Sequence, residues 1–550
     1  KNNNNQYFSK EVYNFNTLSP LNYKNGFQLG RSNSDHRVID QVENYLKIEY
    51  EKEAINTNII NSTSDKDRIK LLDLKVYNNY ALLGTLKSRK EYNSNNQLIN
   101  SLQYDYGTDF FTNKLGTTSE SFKSYTMYRG RGPRRTTQDT YNLTKSNIIK
   151  NHSLIESTTT TQGGFTSTTN FLKHDFLTGQ VLETETTDSK GNRFKTELTP
   201  AYTIDAYNSG DYSMGSKVDN PTNKNMLTQN AMTKTYIDVG DDWKESSVGI
   251  TTWNNKWRYV NFNGTTSTPT AANQHIWRKH KSFVWDGALN EDGSYDGFAG
   301  DDDDFEWGVA SAGSETEQSN AKWKNVSTTT QYDHYSMLLE VRDINGNYAA
   351  TKMGDSDSKV LVTSNAAYSE MYYSGAEYIA KDDRGIDTDY YDGEVRGLHG
   401  QIRHTAFKSH TGKYSLRALN EEIAFEASVT TPALKLNELI TQGVESRKFK
   451  VSVWVDKDAG ISTGSNGATI VNAEIEVNSS SYPFSVSETV IAGDWVMLNG
   501  TVDLPVAGAL VSVKSKAAIY FDDFRMHPIE SSMTSYVYNE WDELWYIIGT

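Results

Sequence analysis

The sequence predicts a mainly β protein, an antiparallel YD-repeat-like strip or meander with an inserted jelly-roll β-sandwich. Three observations carry this reading. Strand-favouring residues are abundant, with 34 Tyr and long Thr-rich stretches among 550 residues. Apolar residues alternate with period two over short runs, whereas sustained i, i+3, i+4, i+7 stripes are largely absent. Asn, Gly and Ser punctuate the runs at the short intervals that successive hairpins require.

Residues 1–200 are expected to form an N-terminal β-rich, repeat-like region. Its opening KNNNNQYFSKEVYNFN is polar, and LLDLKVYNNYALLGTLKSRKEY and NQLINSLQYDYGTDFF read as meander strands. STTTTQGGFTSTTNF (157–171) reads as strand, Gly-Gly turn, strand. Residues 201–374 form a Trp-rich β region holding Trp243, Trp253, Trp257, Trp277, Trp285, Trp307 and Trp323. Spaced aromatics on half-buried strands fill a core more often than they form a sugar-stacking row. Within it WDGALNEDGSYDGFAGDDDDFEW carries nine acidic side chains and no basic one. Such density suits calcium or a solvated loop, but the sixth position from Asp286 is Glu291 where an EF-hand loop needs Gly.

Residues 375–530 read as the sandwich. In RKFKVSVWV, Phe449, Val451, Val453 and Val455 fall on one face, with Lys450, Ser452 and Trp454 on the other. ATIVNAEIEV, DWVMLNGTVDL, ALVSVKS and AIYFDDFRM continue as strands separated by turn residues. Residues 531–550 return to the style of the opening region, as the start of a further repeat.

A net charge of −15 argues against nucleic-acid binding, which needs a basic surface. The basic cluster RGRGPRR (129–135) is expected as a solvated loop. There is no Cys, hence no disulfide, thiol nucleophile or thiolate metal site. No apolar run approaches the ~20 residues that a bilayer-spanning helix needs. The chain opens at Lys1 without Met and stops after WYIIGT, which suggests an excerpt of a longer polypeptide.

Two related stretches recur: HDFLTGQVLETETTDSKGNRF from His174 and YDHYSMLLEVRDINGNY from Tyr332. In each, a Leu-Glu pair (Leu182-Glu183, Leu339-Glu340) precedes an Asp-x-x-Gly turn. Asp188 and Asp343 are expected to accept backbone N–H bonds two residues on, while Gly191 and Gly346 supply positive φ. These Asp residues are therefore expected to be structural.

The stretches, with the terminal YVYNEWDELWYIIGT, resemble YD repeats, the units of Rhs and YD-repeat proteins. Tyr-Asp stands intact at Tyr332-Asp333, becomes His174-Asp175 in the first copy and Tyr538-Asn539 in the last. The whole chain is similar to segments of the large secreted YD-repeat proteins of gliding Gram-negative bacteria. That resemblance implies export, commonly by type IX machinery, display or release at the cell surface, and β-strips that curl into a shell, sometimes around a C-terminal toxin. The sandwich resembles the galactose-binding-like, carbohydrate-binding-module fold through YYSGAEY, SHTGKYSLRA, SVWV, GDWVMLNGTVDLP and AIYFDDFRM. The resemblance implies a structural calcium held by Glu377, Asp523 and carbonyls of the Thr411–Lys413 turn; the bland alternative has Glu377 and Asp523 bonding backbone amides. It also makes glycans candidate partners, with Trp454 the candidate contact, although packing against a neighbouring layer is the expected role of that indole.

Three functions compete: a non-enzymatic surface or secreted scaffold, the casing of a polymorphic toxin, and a secreted polysaccharide hydrolase. The scaffold leads. No carboxylate pair stands out among 70 acidic residues, and HExxH, GxSxG, GxGxxG and P-loop patterns are all lacking.

Overall fold

The computed structural model describes residues 9–17, 36–42, 46–51, 69–78, 80–106, 117–131, 137–150, 154–175, 177–261, 264–267, 275–298, 305–308, 318–355, 357–377, 380–381, 389–398, 401–404 and 407–549. It is mainly β. The longest helix among these residues is Ala433–Thr441. Two compact units emerge: Lys1–Thr199 with Thr233–Ser247 and Ala288–Asp296, and Pro200–Met232 with Val248–Gly287 and Gly297–Thr550.

In the first unit each strand pairs antiparallel with the next through Leu86–Asn93, Leu98–Tyr106, Ile155–Gln162, Phe165–His174, Val181–Thr187 and Arg193–Pro200. A second sheet joins His36–Val42, Leu46–Glu51, Ile69–Asn78, Thr137–Lys150 and Thr117–Arg131, with Ile69–Asn78 parallel to Thr137–Lys150. The basic cluster therefore starts in a strand, at Arg129–Arg131, rather than wholly in a loop; 132–135 lie outside the described residues, as do Asp301–Asp304.

The strands at 155–200 carry few buried side chains, and Val181–Thr187 is half-buried at every position. Cross-strand polar pairs supply what a core otherwise would. Thr159 meets Thr168 and Thr161 meets Thr166, both at 3.1 Å, and Thr169 meets Thr186 at 3.0 Å. Arg193 bridges Glu185 and Asp238 at 3.2 and 2.8 Å while lying over Trp243.

The second unit repeats the hairpin plan with a deeper core. Arg278–Trp285, Trp323–Tyr332, Leu338–Asp343, Tyr348–Gly354 and Lys359–Ser364 follow in antiparallel order. Trp257, Trp277, Trp285 and Trp323 are buried, with Trp285 edge-on to Trp323 at 5.0 Å. These indoles fill a core and form no sugar-stacking row.

Lys359–Ser364 then pairs with Met533–Tyr538, Ser364 opposite Met533, so the intervening chain is an insertion within this strip. The insertion is a sandwich of two seven-stranded sheets. Its strands run from Tyr372–Ser374 to Ile519–Pro528, so it takes in residues before 375. Phe449, Val451, Val453 and Val455 are buried in its core, alongside Phe425, Leu498, Val513 and Phe521.

Buried ion pairs tie the insertion to the strip. Glu370, fully buried just ahead of the sandwich, accepts bonds from Arg447 and from Lys435 Nζ (2.6 Å). Lys352 of the strip reaches Glu394 at 2.6 Å and lies 4.0 and 4.3 Å from the ring centroids of Tyr368 and Tyr372. Glu340 accepts the Tyr368 N–H at 2.6 Å, and burial pushes its carboxyl up.

Acid should expose one cost of this packing. Burial, helped by neighbouring Lys281, lowers the His280 imidazole from 6.5 to about 4, so the unfolded chain takes up a proton that the folded chain refuses. Denaturant titrations should show stability present above pH 6.5 and lost as pH falls towards 4, by at most about 3 kcal/mol from this group. His280→Phe should flatten that limb; an unchanged slope would exclude His280 as its source.

Candidate functional site

The Asp and Asn residues of the repeated stretches share one geometry. At Asp188, Oδ1 accepts the N–H groups of Lys190 and Asn192 at 2.8 and 2.9 Å. Asp343 accepts those of Asn345 and Asn347 at 2.9 and 2.8 Å, and Asp333 those of Tyr335 and Met337 at 2.8 and 2.7 Å. Asn539 does the same for Trp541 and Glu543 at 3.0 and 2.9 Å. In every case the first residue also exchanges backbone bonds with the fourth and fifth, closing a five-residue turn. The fourth residue is left-handed: Gly191 at φ 87° and Gly346 at 81°, but Ser336 at 74° and Asp542 at 65°. Asp175 accepts the Leu177 N–H at 2.8 Å in a related turn closed by Gly179.

The ring before the Asx residue anchors the strand end. Tyr332 donates its hydroxyl to Lys279 O at 2.9 Å, and Tyr538 to Val360 O at 3.0 Å, each on the adjoining strand. A further copy, Tyr92-Asn93, was hidden by its lack of Asp and Gly. Asn93 Oδ1 accepts Asn95 and Gln97 N–H, both at 2.9 Å, and Asn96 is left-handed at φ 60°.

The paired Leu-Glu positions diverge. Glu183 is part-exposed, 3.9 Å from Lys195, whereas Glu340 is buried at the root of the sandwich. Sequence spacing alone made them equivalent; their neighbours make one a surface ion-pair partner and the other a buried anchor.

At one corner of the sandwich, Glu377 Oε1 accepts the N–H groups of Lys413 and Tyr414, both at 2.7 Å. Gly412 permits this approach: it is left-handed at φ +59°, and a Cβ there would sit 2.4 Å from Glu377 Oε1. Asp523 is fully buried and accepts Tyr373 OH at 2.8 Å, Thr411 Oγ1 at 2.9 Å and His410 Nδ1 at 2.7 Å. Its neighbour Asp522 accepts His410 N–H at 2.6 Å; burial, then the Asp523 and Glu377 charges, push the Asp522 carboxyl up. Glu377, Thr411, Lys413 and Asp523 thus meet at one corner, with N–H, O–H and ring donors aimed at the carboxylates. Calcium asks for oxygen lone pairs, so this donor set does not fit it. Among the described residues no cluster of three His, Asp or Glu side chains is placed to hold a metal. Trp454 is 9% exposed and stacks on His410, ring centroids 3.7 Å apart.

Beside this corner lies a groove of about 730 Å³ in the second unit. The turn 409–414 forms one wall; the turn 539–543, between Met533–Tyr538 and Leu544–Ile548, forms the other. The sequence pattern reads 531–550 only as the start of a further repeat. The signal available was two Trp within five residues of a turn, outside the Trp-rich middle.

No family model matches the chain, and no curated protein matches it. Among solved structures, TcdB2-TccC3 is similar over 92% of this chain and 28% of its own, and TcdB2-TccC3-Cdc42 over 72% and 22%. Both share 9% identity at a TM-score of 0.20, a likeness that carries no argument about this chain. The chain spans less than a third of either.

Calcium readdition after exhaustive chelation tests the corner directly. An ion that binds only the folded state raises the melting temperature. The donor-filled carboxylates predict an unchanged melting temperature; a calcium-dependent rise of several degrees, abolished by Asp523→Asn, would show that the corner rearranges around an ion.

Proposed function

We propose that this chain is a non-enzymatic scaffold of the Rhs/YD-repeat kind, a β-strip that carries an inserted sandwich. It is exported from a Gram-negative cell by type IX machinery and displayed or released at the surface, where it meets other surface components. The observation that carries the reading is the shared turn: the stretches at Tyr332-Asp333 and Tyr538-Asn539 end a strand with a ring and close the next turn with the same two Asx bonds. Repetition of one local device along a strip is how a scaffold grows, because each hairpin needs only its neighbours.

The fate of the acidic residues supports the non-enzymatic reading. Asp188, Asp333 and Asp343 hold turns, and Glu340 and Glu370 hold the insertion. A glycosidase needs two carboxylates free to act across a cleft, whereas these five are committed to turns and buried contacts. No helix among the described residues is long and apolar enough to cross a membrane.

Two measurements on the native system test this. Antibodies against the sandwich should label intact cells, and loss of the type IX machinery should abolish the labelling. The purified chain should leave polysaccharides uncut. Labelling only after lysis would refute export; turnover lost on replacing one carboxylate pair would establish a hydrolase.

A further inference from the structure

The groove between the turns 409–414 and 539–543 is not explained by the scaffold role. Six of the indoles, Trp257, Trp277, Trp285, Trp323, Trp454 and Trp495, are at most 9% exposed. Trp541 is 73% exposed and Trp545 54%, and both line the groove. The backbone that carries them is held by hydrogen bonds. Asn539 Oδ1 holds the Trp541 N–H at 3.0 Å, the turn closes through Asn539 N–H to Glu543 O at 2.9 Å, and Trp545 lies on the paired strand. Large rings open to water on a hydrogen-bonded turn are contact surface whose backbone needs no ordering on binding.

The charges lining the groove point to the class of ligand. Lys359 is engaged by Asp542 at 2.6 Å and Asp355 at 2.9 Å, and Lys413 by Glu540 at 3.8 Å. Glu377 spends Oε1 on two backbone N–H groups. Two lysines stand among three carboxylates, so the walls carry a slight negative excess and offer no surplus of positive charge to an anionic ligand. What the groove offers is aromatic faces, set among paired carboxylate, ammonium and hydroxyl groups. A neutral pyranose ring matches that mixture: its C–H face lies on an indole, and its equatorial hydroxyls both donate and accept. The volume suits a short chain, within the ordinary range of about 300–1,000 Å³ for ligand sites.

We propose that this groove binds a neutral saccharide chain, with Trp541 and Trp545 as the stacking platforms and the 409–414 turn as the opposing wall. The site is composite. The sandwich supplies one wall and the strip's hairpin the other, so neither element carries it alone. This assignment stands apart from the scaffold reading and from the stacked, buried Trp454. A bound peptide is the rival, since a peptide also brings apolar faces and hydrogen-bonding groups.

Affinity electrophoresis of the purified full chain decides the matter. The probes are soluble neutral β-glucan, α-glucan, mannan, xylan and galactan, with alginate and heparin as anionic controls and a random peptide library as the rival ligand. At least one neutral polymer should retard the chain. Trp541→Ala and Trp545→Ala should each weaken that retardation roughly tenfold or more, the loss of about 1.4 kcal/mol expected for a stacking ring. Trp541→Tyr should retain part of it, and all variants should keep the parent's circular dichroism and melting temperature. Failure of every neutral polymer, retardation indifferent to both Ala variants, retardation by the anionic polymers alone, or binding of peptides in place of saccharides would each overturn the proposal. None of these outcomes bears on cell-surface labelling, so the two readings fail separately.

Discussion

The strip depends on one small constraint: an Asx side chain that accepts two backbone N–H bonds, two and four residues on, around a left-handed fourth residue. A hairpin whose strands are half-buried on both faces has little hydrophobic pattern to fix its register. The turn must then do it. With Asp188 Oδ1 holding Lys190 and Asn192, Val181–Thr187 and Arg193–Pro200 can meet only with Thr187 opposite Arg193, and the Thr and ion-pair contacts follow. Where the strand ends in Tyr, the hydroxyl pins it to the adjoining strand as well.

The two units stabilise the same hairpin plan by different means. Around 155–200, polar cross-strand pairs do most of the work, each contributing only a few tenths of a kcal/mol to about one. In the second unit, indoles and a sandwich core bury apolar surface, and the insertion is fastened by ion pairs drawn out of water. Such pairs add little net stability over an apolar contact, but breaking one partner leaves a buried charge and costs about 3–5 kcal/mol. Glu370, Arg447 and Lys352 therefore secure the placement of the sandwich more than its stability. A composite groove needs that fixed placement, because its two walls come from the inserted module and from the strip.

Local features of the fold were legible in the sequence, because they are encoded locally. Alternation marked the strands, Asp-x-x-Gly marked two turns, and the Phe449–Val455 pattern marked the sandwich face. Turns that replace Gly with Asn, Ser or Asp, as at Asn96, Ser336 and Asp542, escaped that pattern, although these residues tolerate or are forced into the left-handed region by the same bonds. Long-range facts were out of reach. Nothing in the spacing of Leu-Glu separates half-buried Glu183 from buried Glu340, and nothing local says that the turn 539–543 faces 409–414. The calcium expected at Glu377 and Asp523 rested on resemblance. What sequence could not supply was His410, whose ring and backbone N–H groups face Asp523 and Asp522.

The Asp of the Tyr-Asp stretch works as a hydrogen-bond acceptor for its turn, with no role for its negative charge. Asp333 is the decisive position, because it is buried, one oxygen holds both amides, and the other has no hydrogen-bond partner. Denaturant unfolding of Asp333→Asn and Asp333→Ala, measured side by side, tests this. The acceptor account predicts that Asn stays within about 0.5 kcal/mol of the parent, while Ala loses about 1–2 kcal/mol by stranding two amides. Equal losses in Asn and Ala would contradict it and return the charge of Asp333 to the centre of the problem.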